Sequence, residues 1–160
     1  MKRVASIRWL VVCCLAGAPA ASVAQSLSCG QNHVDQITAA GQEDVLIFQG
    51  SAGDCISLVL WQTGGSNFTA HGDLYAPSST SVPILQGLNG EVPLNLAESG
   101  TYILRVHASN LVSTGSYVLE LNWLTPQPCN VIPIQCGQDV AATIADRAEQ
   151  HFYSFDAQAG

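Results

Sequence analysis

Residues 101–123 read TYILRVHASNLVSTGSYVLELNW, and this stretch decides the fold class. Its two ends, TYILRVH and YVLELNW, alternate apolar and polar side chains with the period of two that is typical of β-strands. The middle, ASNLVSTGS, has the small and polar residues of a loop. The stretch therefore predicts two strands, and we expect residues 101–107 and 117–123 to pair antiparallel with each other.

Further strands are predicted on the N-terminal side of this stretch. Apolar or alternating runs between turn residues lie at residues 34–39, 44–49, 54–62, 68–75, 82–85 and 91–96. Only four residues separate the first two runs, which predicts a hairpin. Seven or eight antiparallel strands in about 100 residues predict an all-β, jelly-roll-like β-sandwich with one core.

The alternation also predicts the core. We expect most of the buried apolar area to come from Ile37, Phe48, Ile56, Leu58, Leu60, Leu74, Leu94, Leu96, Ile103, Leu104, Val106, Val118 and Leu121. Successive strand residues point to opposite faces, so Ile103, Leu104 and Val106 cannot all point inward. One of these three should face outward.

The C-terminal end of the sequence repeats an earlier part. Residues 136–160 align with residues 29–53 without a gap at an offset of 107, and 7 of the 25 pairs are identical. Phe155, for example, falls on Phe48. A fixed internal period indicates an array of similar units, so the chain is interpreted as a fragment of a longer repeat protein.

This period predicts the organisation of the chain. Residues 25–124 form one β-sandwich module, residues 125–136 a linker rich in proline and cysteine, and residues 137–160 the truncated start of a second module. A lone pair of strands is marginally stable and exposes an apolar edge. We therefore expect a mobile or aggregation-prone tail, which a cut at about Pro126 would remove.

The N-terminus has the pattern of a secretory signal peptide at residues 1–24. A basic start is followed by an apolar run at residues 9–18 and by SVA at residues 22–24, an A-x-A-like cleavage site. The run is about half as long as the roughly 20 residues of a membrane-spanning helix. We expect the signal to be removed on export together with Cys13 and Cys14, which leaves a secreted, extracellular protein.

The chain that remains is strongly acidic. Arg105 and Arg147 are its two cations against 12 acidic residues, so its net charge is −10. Two cations do not neutralise a phosphate backbone and do not attract the chain to anionic lipids. Nucleic acid and membranes are therefore excluded as partners.

Five short motifs occur in a recognisable order. They are GQEDVLIF at residues 41–48, AGDCI at 52–56, GDLY at 72–75, ESGTYILRV at 98–106 and GSYVL at 115–119. This order resembles the bacterial pre-peptidase C-terminal domain over residues 30–124, and again in part over residues 137–160. The resemblance implies an extracellular, non-catalytic accessory module of secreted proteases and other exported proteins, which in some members binds substrate polymer or Ca²⁺.

Motifs for catalysis are missing from the sequence. It contains neither G-x-S-x-G nor H-E-x-x-H, and its four histidines are scattered, so we predict no catalytic residue and no enzyme. Asp73 matches an acidic residue near a Ca²⁺ site in some collagen-binding relatives, which makes it a candidate Ca²⁺ ligand. Ca²⁺ takes about six to eight oxygens. The stretch before Asp73 supplies no second acid, so a structural role of Asp73 at a turn is the alternative.

Four cysteines follow the signal: Cys29, Cys55, Cys129 and Cys136. Their even number predicts two disulfides, with three possible connectivities, and their spacing does not fit zinc. In the expected hairpin, Cys29 and Cys55 lie at the same end, which predicts Cys29–Cys55 and Cys129–Cys136. Cys136 has an alternative partner, because the counterpart of Cys55 in a second module falls at position 162.

These observations predict a secreted, non-catalytic module that tethers or binds an extracellular polymer or protein, with further copies in the intact chain. One alternative is the N-terminal accessory region of a secreted hydrolase, of peptidase type, whose catalytic domain follows. Another is a carbohydrate-binding module, which needs exposed aromatic side chains on one face. Trp61, Trp123 and Tyr75 are the candidates for ligand contact, and packing at the core rim is the alternative for the two tryptophans.

Overall fold

The structure is a computed structural model, and it describes residues 23–158. Nearly all of the predicted signal peptide, including Cys13 and Cys14, lies outside the described residues, as do the last two residues of the second copy. The described part of the chain has strands and turns and no helix. It therefore offers no helix that is long and apolar enough to cross a membrane.

Two sheets form the main body, and a short third sheet follows. The strands are β1 (Gln25–Ser26), β2 (His33–Ile37), β3 (Glu43–Gly50), β4 (Cys55–Gly64), β5 (Ala70–Tyr75), β6 (Leu85–Leu88), β7 (Gly90–Asn95), β8 (Gly100–Ala108), β9 (Gly115–Thr125), β10 (Ile132–Pro133) and β11 (Tyr153–Ser154). The five-stranded sheet has the order β1-β3-β8-β5-β6 and the four-stranded sheet the order β2-β9-β4-β7. The predicted all-β sandwich is confirmed.

The predicted pairing of neighbouring strands is wrong in two places. β2 pairs with β9 and β3 with β8, so the residues expected to form a hairpin lie in opposite sheets. β8 also pairs with β5 and β9 with β4, so residues 101–107 and 117–123 are not partners. In both places the loop carries the chain from one sheet to the other. A turn signal predicts that the chain reverses, but it does not specify the strand that becomes the partner.

The core lies between the two sheets. Of the residues predicted for it, Leu94 and Ile103 are half-buried and the other members are buried. Ile103 is the one of its trio that faces outward, as expected, while Leu104 and Val106 are fully buried. The core also takes residues that the prediction left out, chiefly Leu46, Phe68, Leu88, Tyr102, Tyr117 and Leu119.

Buried tyrosine hydroxyl groups have specific acceptors. The Tyr117 hydroxyl on β9 donates to the Asp44 carboxylate on β3 at 2.9 Å, which joins the two sheets through the core. The Tyr102 hydroxyl donates to the Glu98 carbonyl oxygen at 2.9 Å, which fixes the turn before β8. Because a buried polar group without a partner is costly, these two bonds hold both rings in the core.

A disulfide joins Cys29 to Cys129, with the two Cα atoms 5.9 Å apart. The predicted Cys29–Cys55 and Cys129–Cys136 pairs are therefore wrong, and Cys55 and Cys136 are free thiols. The error follows from the hairpin that does not form. Cys29 precedes β2 on one side of β9, and Cys55 begins β4 on its other side, so two strand spacings of about 4.8 Å separate them. That separation exceeds the reach of a disulfide.

The small sheet repeats a pairing of the main body. β10 pairs in parallel with β11 as β1 pairs in parallel with β3, at the same offset as the sequence repeat. The partners are Gln25 with Leu46 and Ser26 with Ile47 in the first pair, and Ile132 with Tyr153 and Pro133 with Ser154 in the second. The correspondence thus begins at residue 132, inside the segment interpreted as a linker.

Candidate functional site

The outer face of the four-stranded sheet is covered by a later part of the same chain. We call this face the docking face and define it by its outward side chains Val59, Trp61, Glu91, Val118, Glu120 and Asn122. Trp61 faces Val118 and Val59 faces Glu120 across the β4–β9 ladder, and Glu91 on β7 faces Val59 on the other side. Val59, Val118, Glu120 and Asn122 are at most 4% exposed. Such burial is unusual for charged or amide side chains on the outside of a sandwich.

The segment that covers this face is residues 145–151, which we call the corner segment. Its Ala148 is 1% exposed and packs in one apolar cluster with Val59, Val118 and Trp61. The Arg147 guanidinium lies 4.8 Å from the centre of the Trp61 ring, within the range of a cation–π contact. The apolar part of the docking face is therefore closed by two adjacent residues.

The polar part of the docking face is closed by Gln150. Its backbone N–H donates to Glu120 Oε2 at 3.1 Å, and its side-chain amide donates to Glu91 Oε1 at 2.8 Å. Its side-chain oxygen accepts from Asn122 Nδ2 at 3.0 Å. The side-chain amide of Gln150 therefore satisfies Glu91 and Asn122, and its backbone N–H satisfies Glu120.

Glu120 is a buried acidic residue of this face with a shifted pKa. Burial raises the pKa of its carboxyl group above the ordinary value, and hydrogen bonds from Asn122 Nδ2 and Gln150 N lower it in part. The side chain is on a residue that is 2% exposed, and both of its oxygens accept hydrogen bonds. A buried carboxylate in such a place favours a neutral or donating neighbour and disfavours a second negative charge.

A cleft of about 290 Å³ lies beside Glu120, where the corner segment meets the start of β2 and the segment after β9. Its lining residues are Gly30, Asn32, Glu120, Asn130, Ile132, Glu149, Gln150 and His151. Glu149 accepts from His151 Nε2 at 2.7 Å, and this bond lowers the pKa of its carboxyl group. The lining thus offers carboxylate, amide and imidazole groups.

Asp73 lies away from this cleft, on the outer face of the five-stranded sheet. Its Oδ1 accepts from the backbone N–H of Gly87 at 2.9 Å, and its Oδ2 lies 3.3 Å from His107 Nε2. The two carboxylate oxygens of Asp73 thus contact groups on the neighbouring strands β6 and β8. Within residues 23–158, no group of three or more His, Cys, Asp or Glu side chains is arranged to hold a metal ion. In the structure Asp73 links β5 to β6 and β8, and its assignment as a Ca²⁺ ligand stays a prediction.

Tyr75 lies on the same sheet as Asp73. The Arg105 guanidinium lies 4.9 Å from the centre of the Tyr75 ring and 3.7 Å from Glu43 Oε2. Asp73 is the ladder partner of Arg105, and Tyr75 lies two residues further along the same strand, so the structure brings these two candidates together. Neither candidate tryptophan lies on this sheet.

The two tryptophans lie on opposite faces of the four-stranded sheet. Trp61 is on the docking face, whereas Trp123 is packed against the core, edge-on to Phe48 with ring centres 6.1 Å apart. Trp123 Nε1 donates to Asp54 Oδ2 at 2.9 Å. The tryptophans therefore do not form a shared aromatic platform of the kind that a carbohydrate-binding module requires.

Sequence reasoning missed the residues that make the docking contact: Glu91, Val118 as an outward residue, Glu120, Asn122, Arg147, Ala148 and Gln150. One signal was present. Val59, Trp61 and Val118 are apolar at outward positions of neighbouring strands, and such positions are usually polar where a sheet faces water. The signal indicates a covered face, but it does not indicate which segment covers it.

No family model and no curated protein matches the chain. Among solved structures, the pre-peptidase C-terminal domain of collagenase from Bacillus anthracis is similar, with a TM-score of 0.53 and 19% identity over 63% of this chain and 96% of that one. Two periplasmic inhibitors of g-type lysozyme are also similar. The inhibitor from Salmonella Typhimurium has a TM-score of 0.46 and 15% identity over 62% of this chain and 97% of its own. The inhibitor from Aeromonas hydrophila has a TM-score of 0.44 and 16% identity over 63% and 99%.

The similarity to the collagenase domain shows a shared fold. It covers nearly all of that domain but less than two thirds of this chain, which is the extent of one sandwich. The resemblance stated from the motifs is therefore confirmed for the kind of fold.

Proposed function

We propose that this chain is a secreted, non-catalytic β-sandwich accessory module of a tandem-repeat extracellular protein, with a tethering or binding role. The observation that carries the proposal is the recurrence of structure at the sequence offset of 107. The parallel pairing of β1 with β3 returns as the pairing of β10 with β11, residue for residue. A fragment that repeats both sequence and pairing is the expected start of a second module.

A second recurrence supports the same proposal. Gln42 Oε1 accepts from the backbone N–H groups of Thr38 and Ala39, at 2.8 and 3.2 Å. One period later, Glu149 Oε2 accepts from the N–H groups of Ala145 and Asp146, at 2.6 and 3.3 Å. The backbone bonds from Gln42 N to Ala39 O and from Glu149 N to Asp146 O also correspond, both at 3.2 Å. The corner segment is thus built like the corner between β2 and β3.

The proposed location outside the cytoplasm is supported by the Cys29–Cys129 disulfide, because such bonds persist mainly in oxidising compartments. Export by the general secretory route would remove residues 1–24. If the chain is expressed with its own N-terminus in a secreting host, the protein recovered outside the cytoplasm should begin at Gln25. Retention of residues 1–24 on the recovered protein would overturn this part of the proposal.

A second candidate function is the accessory region of a secreted hydrolase. It is favoured by the similarity to a domain that belongs to a collagenase, although that activity is a property of the other protein. The carbohydrate-binding alternative is disfavoured by the opposite orientation of Trp61 and Trp123.

The coding sequence after Gly160 distinguishes these candidates. The tandem proposal expects the period of 107 to continue, with a cysteine at position 162 as the counterpart of Cys55 and tyrosines or other large aromatics near positions 209 and 224 as counterparts of Tyr102 and Tyr117. A following domain with its own catalytic groups would favour the hydrolase instead. A sequence in which the period stops at once would overturn the tandem proposal.

A further inference from the structure

We propose that the docking face is the junction between consecutive modules: the outer face of the four-stranded sheet receives the segment of the following module that corresponds to the corner between β2 and β3. The inference rests on the tandem organisation proposed above and assigns the contact that such an array uses. The occupant is the corner segment, residues 145–151, which is already seated on the face.

The corner segment is the counterpart of residues 38–44, and both have the same turn. What differs is the set of side chains that make the contact. Arg147, Ala148 and Gln150 correspond to Ala40, Gly41 and Glu43 in the first module. The two copies therefore share the backbone turn, while the three side chains that touch Trp61, Val118 and Glu91 differ between them.

The first corner lacks each element of the contact. Ala40 has no guanidinium to place over an indole ring. Gly41 has a φ of +74° and no side chain, and no atom lies within 4 Å of the position a Cβ would take. Glu43 would bring a third carboxylate to Glu91 and Glu120, where Gln150 brings an amide. Like charges at a buried site repel strongly. The first corner is thus unsuited to docking on such a face.

Three further contacts hold the corner segment and the chain that leads to it. Asn32 Nδ2 donates to Asp146 Oδ2 at 2.9 Å, so the start of β2 also holds the corner segment. The Cys29–Cys129 disulfide and the bond from Asn130 Nδ2 to the Gly30 carbonyl, at 3.0 Å, hold the segment that leads to it. The chain between Cys129 and the corner segment is thus bound to the first module at both of its ends. In an array, these contacts would hold successive modules at a fixed angle.

Trypsin gives a direct test of this contact. After Arg8 the chain has two tryptic sites, Arg105 and Arg147. Arg105 lies in β8, which is paired on both sides. The bond after Arg147 leads into Ala148, which is 1% exposed while the corner segment is docked. Cleavage after Arg147 therefore reports release of the corner segment, measured on the secreted chain (residues 25–160) by mass spectrometry.

Gln150→Glu gives the corner segment the residue of the first module. We expect it to accelerate cleavage after Arg147 about tenfold or more at pH 7, since a second carboxylate placed beside Glu91 repels it in a poorly hydrated contact. The matched control is Glu43→Gln, the reverse change at the counterpart position, which should leave the rate unchanged. Ala148→Asp should act like Gln150→Glu by a different route, because it places a charge in the apolar cluster.

Equal cleavage rates of the wild type, Gln150→Glu and Ala148→Asp would overturn the junction. So would a wild-type rate equal to that of a free peptide of residues 140–155. The result of this proteolysis test can be distinguished from the result of the sequence test of the proposed function. Further copies at the same period with no protection of Arg147 would refute the junction alone. Protection of Arg147 without further copies would refute the tandem organisation, and the docked contact would then not be a junction between modules.

Discussion

Phe155 lies one period of the repeat after Phe48, yet Phe48 is 3% exposed and Phe155 is 71% exposed. Phe48 stacks on Tyr102 with ring centres 5.3 Å apart and meets the edge of Trp123 at 6.1 Å. Those two rings are carried by β8 and β9, and the counterparts of both strands in a second copy would lie beyond position 160. The two phenylalanines thus have the same place in the repeat and different surroundings.

The exposed ring should drive self-association of the fragment. We expect Phe155→Ser to weaken concentration-dependent association about tenfold or more, because burial of a phenylalanine side chain stabilises by roughly 1.5–3 kcal/mol. Sedimentation velocity over a concentration series measures this. Val34→Ser is the matched control, since Val34 is 64% exposed on β2 of the first module. Unchanged association of Phe155→Ser, or equal weakening by Val34→Ser, would contradict the prediction.

The expected mobile tail needs a correction, because residues 145–151 are seated on the docking face. A cut at about Pro126 would also remove Cys129, the partner of Cys29. Such a truncation leaves a free thiol and an uncovered Glu120, which argues against the better-behaved domain that the sequence suggested.

The disulfide should be a major source of stability. It closes a loop with a sequence separation of 100 residues. Loop-closure entropy then predicts a loss of about 4.7 kcal/mol from the free energy of unfolding in the Cys29→Ser, Cys129→Ser double variant. Urea unfolding measures the loss. Cys55→Ser, which removes a free and half-buried thiol, should cost far less, and an equal loss in both would show that the pairing is different.

Sequence alternation predicted the strands and most of the core well, because it reports directly which side chains face inward. It could not predict which strands pair. The turns after β2 and β8 look like hairpin turns in sequence, but both lead the chain to the opposite sheet. The pairing of β3 with β8 joins residues that are distant in sequence, from Glu43 with His107 to Gly50 with Gly100. The disulfide prediction failed for the same reason, since it relied on the hairpin.

The sequence pattern did not predict the docking face for a related reason. Along β9, residues 117–122 are all buried, although alternation assigns only every second one to the core. Val118 was placed in the core because it is apolar, whereas it is buried on the outer face by Ala148. Polar Glu120 and Asn122 matched a solvent-facing pattern. Burial there comes from the corner segment, which follows only after β9 and β10 have ended, and no local pattern encodes that contact.

The two tryptophans should respond differently to substitution. Trp123→Ala removes a ring from the rim of the core, and we expect it to lower the free energy of unfolding by about 3 kcal/mol. Trp61→Ala removes the surface that Arg147 and Ala148 cover, so it should speed tryptic cleavage after Arg147 while changing global stability by less than about 1 kcal/mol. Urea unfolding and proteolysis of both variants provide the comparison. Similar losses of global stability would contradict the assignment to opposite faces.

Glu120 should make stability depend on pH. Burial raises the pKa of its carboxyl group, so above the ordinary value of about 4.3 the folded state holds a proton that the unfolded state has lost. The free energy of unfolding then falls as pH rises through this window. Glu120→Gln should remove that fall, as measured by urea unfolding between pH 4 and pH 7. An unchanged pH dependence, or the same change in the control Glu43→Gln, would refute the role of Glu120.

Tyr117 should make stability fall at alkaline pH. Burial, and then the nearby Asp44 carboxylate to which the hydroxyl donates, raise the pKa of its phenol far above the ordinary value near 10. Above pH 10 the unfolded chain loses the phenolic proton and the folded chain keeps it. The folded state then binds more protons, so the free energy of unfolding decreases by about 1.4 kcal/mol per pH unit from this group.

Tyr117→Phe should reveal this contribution. At pH 7 we expect the variant to be less stable by about 1–3 kcal/mol, because the buried Asp44 carboxylate loses a donor and keeps the Gln42 side-chain amide at 2.9 Å. Above pH 10 the wild-type curve of unfolding free energy should fall towards that of the variant, which lacks the phenol.

Tyr153→Phe is the control, because it changes a tyrosine that is 39% exposed; its unfolding free energy should follow that of the wild type at every pH. Urea unfolding between pH 7 and pH 11 compares the three proteins. Wild-type and Tyr117→Phe curves that stay parallel to pH 11 would mean that the phenol is not held protonated by the core, and that the link between the two sheets is weaker than its geometry indicates.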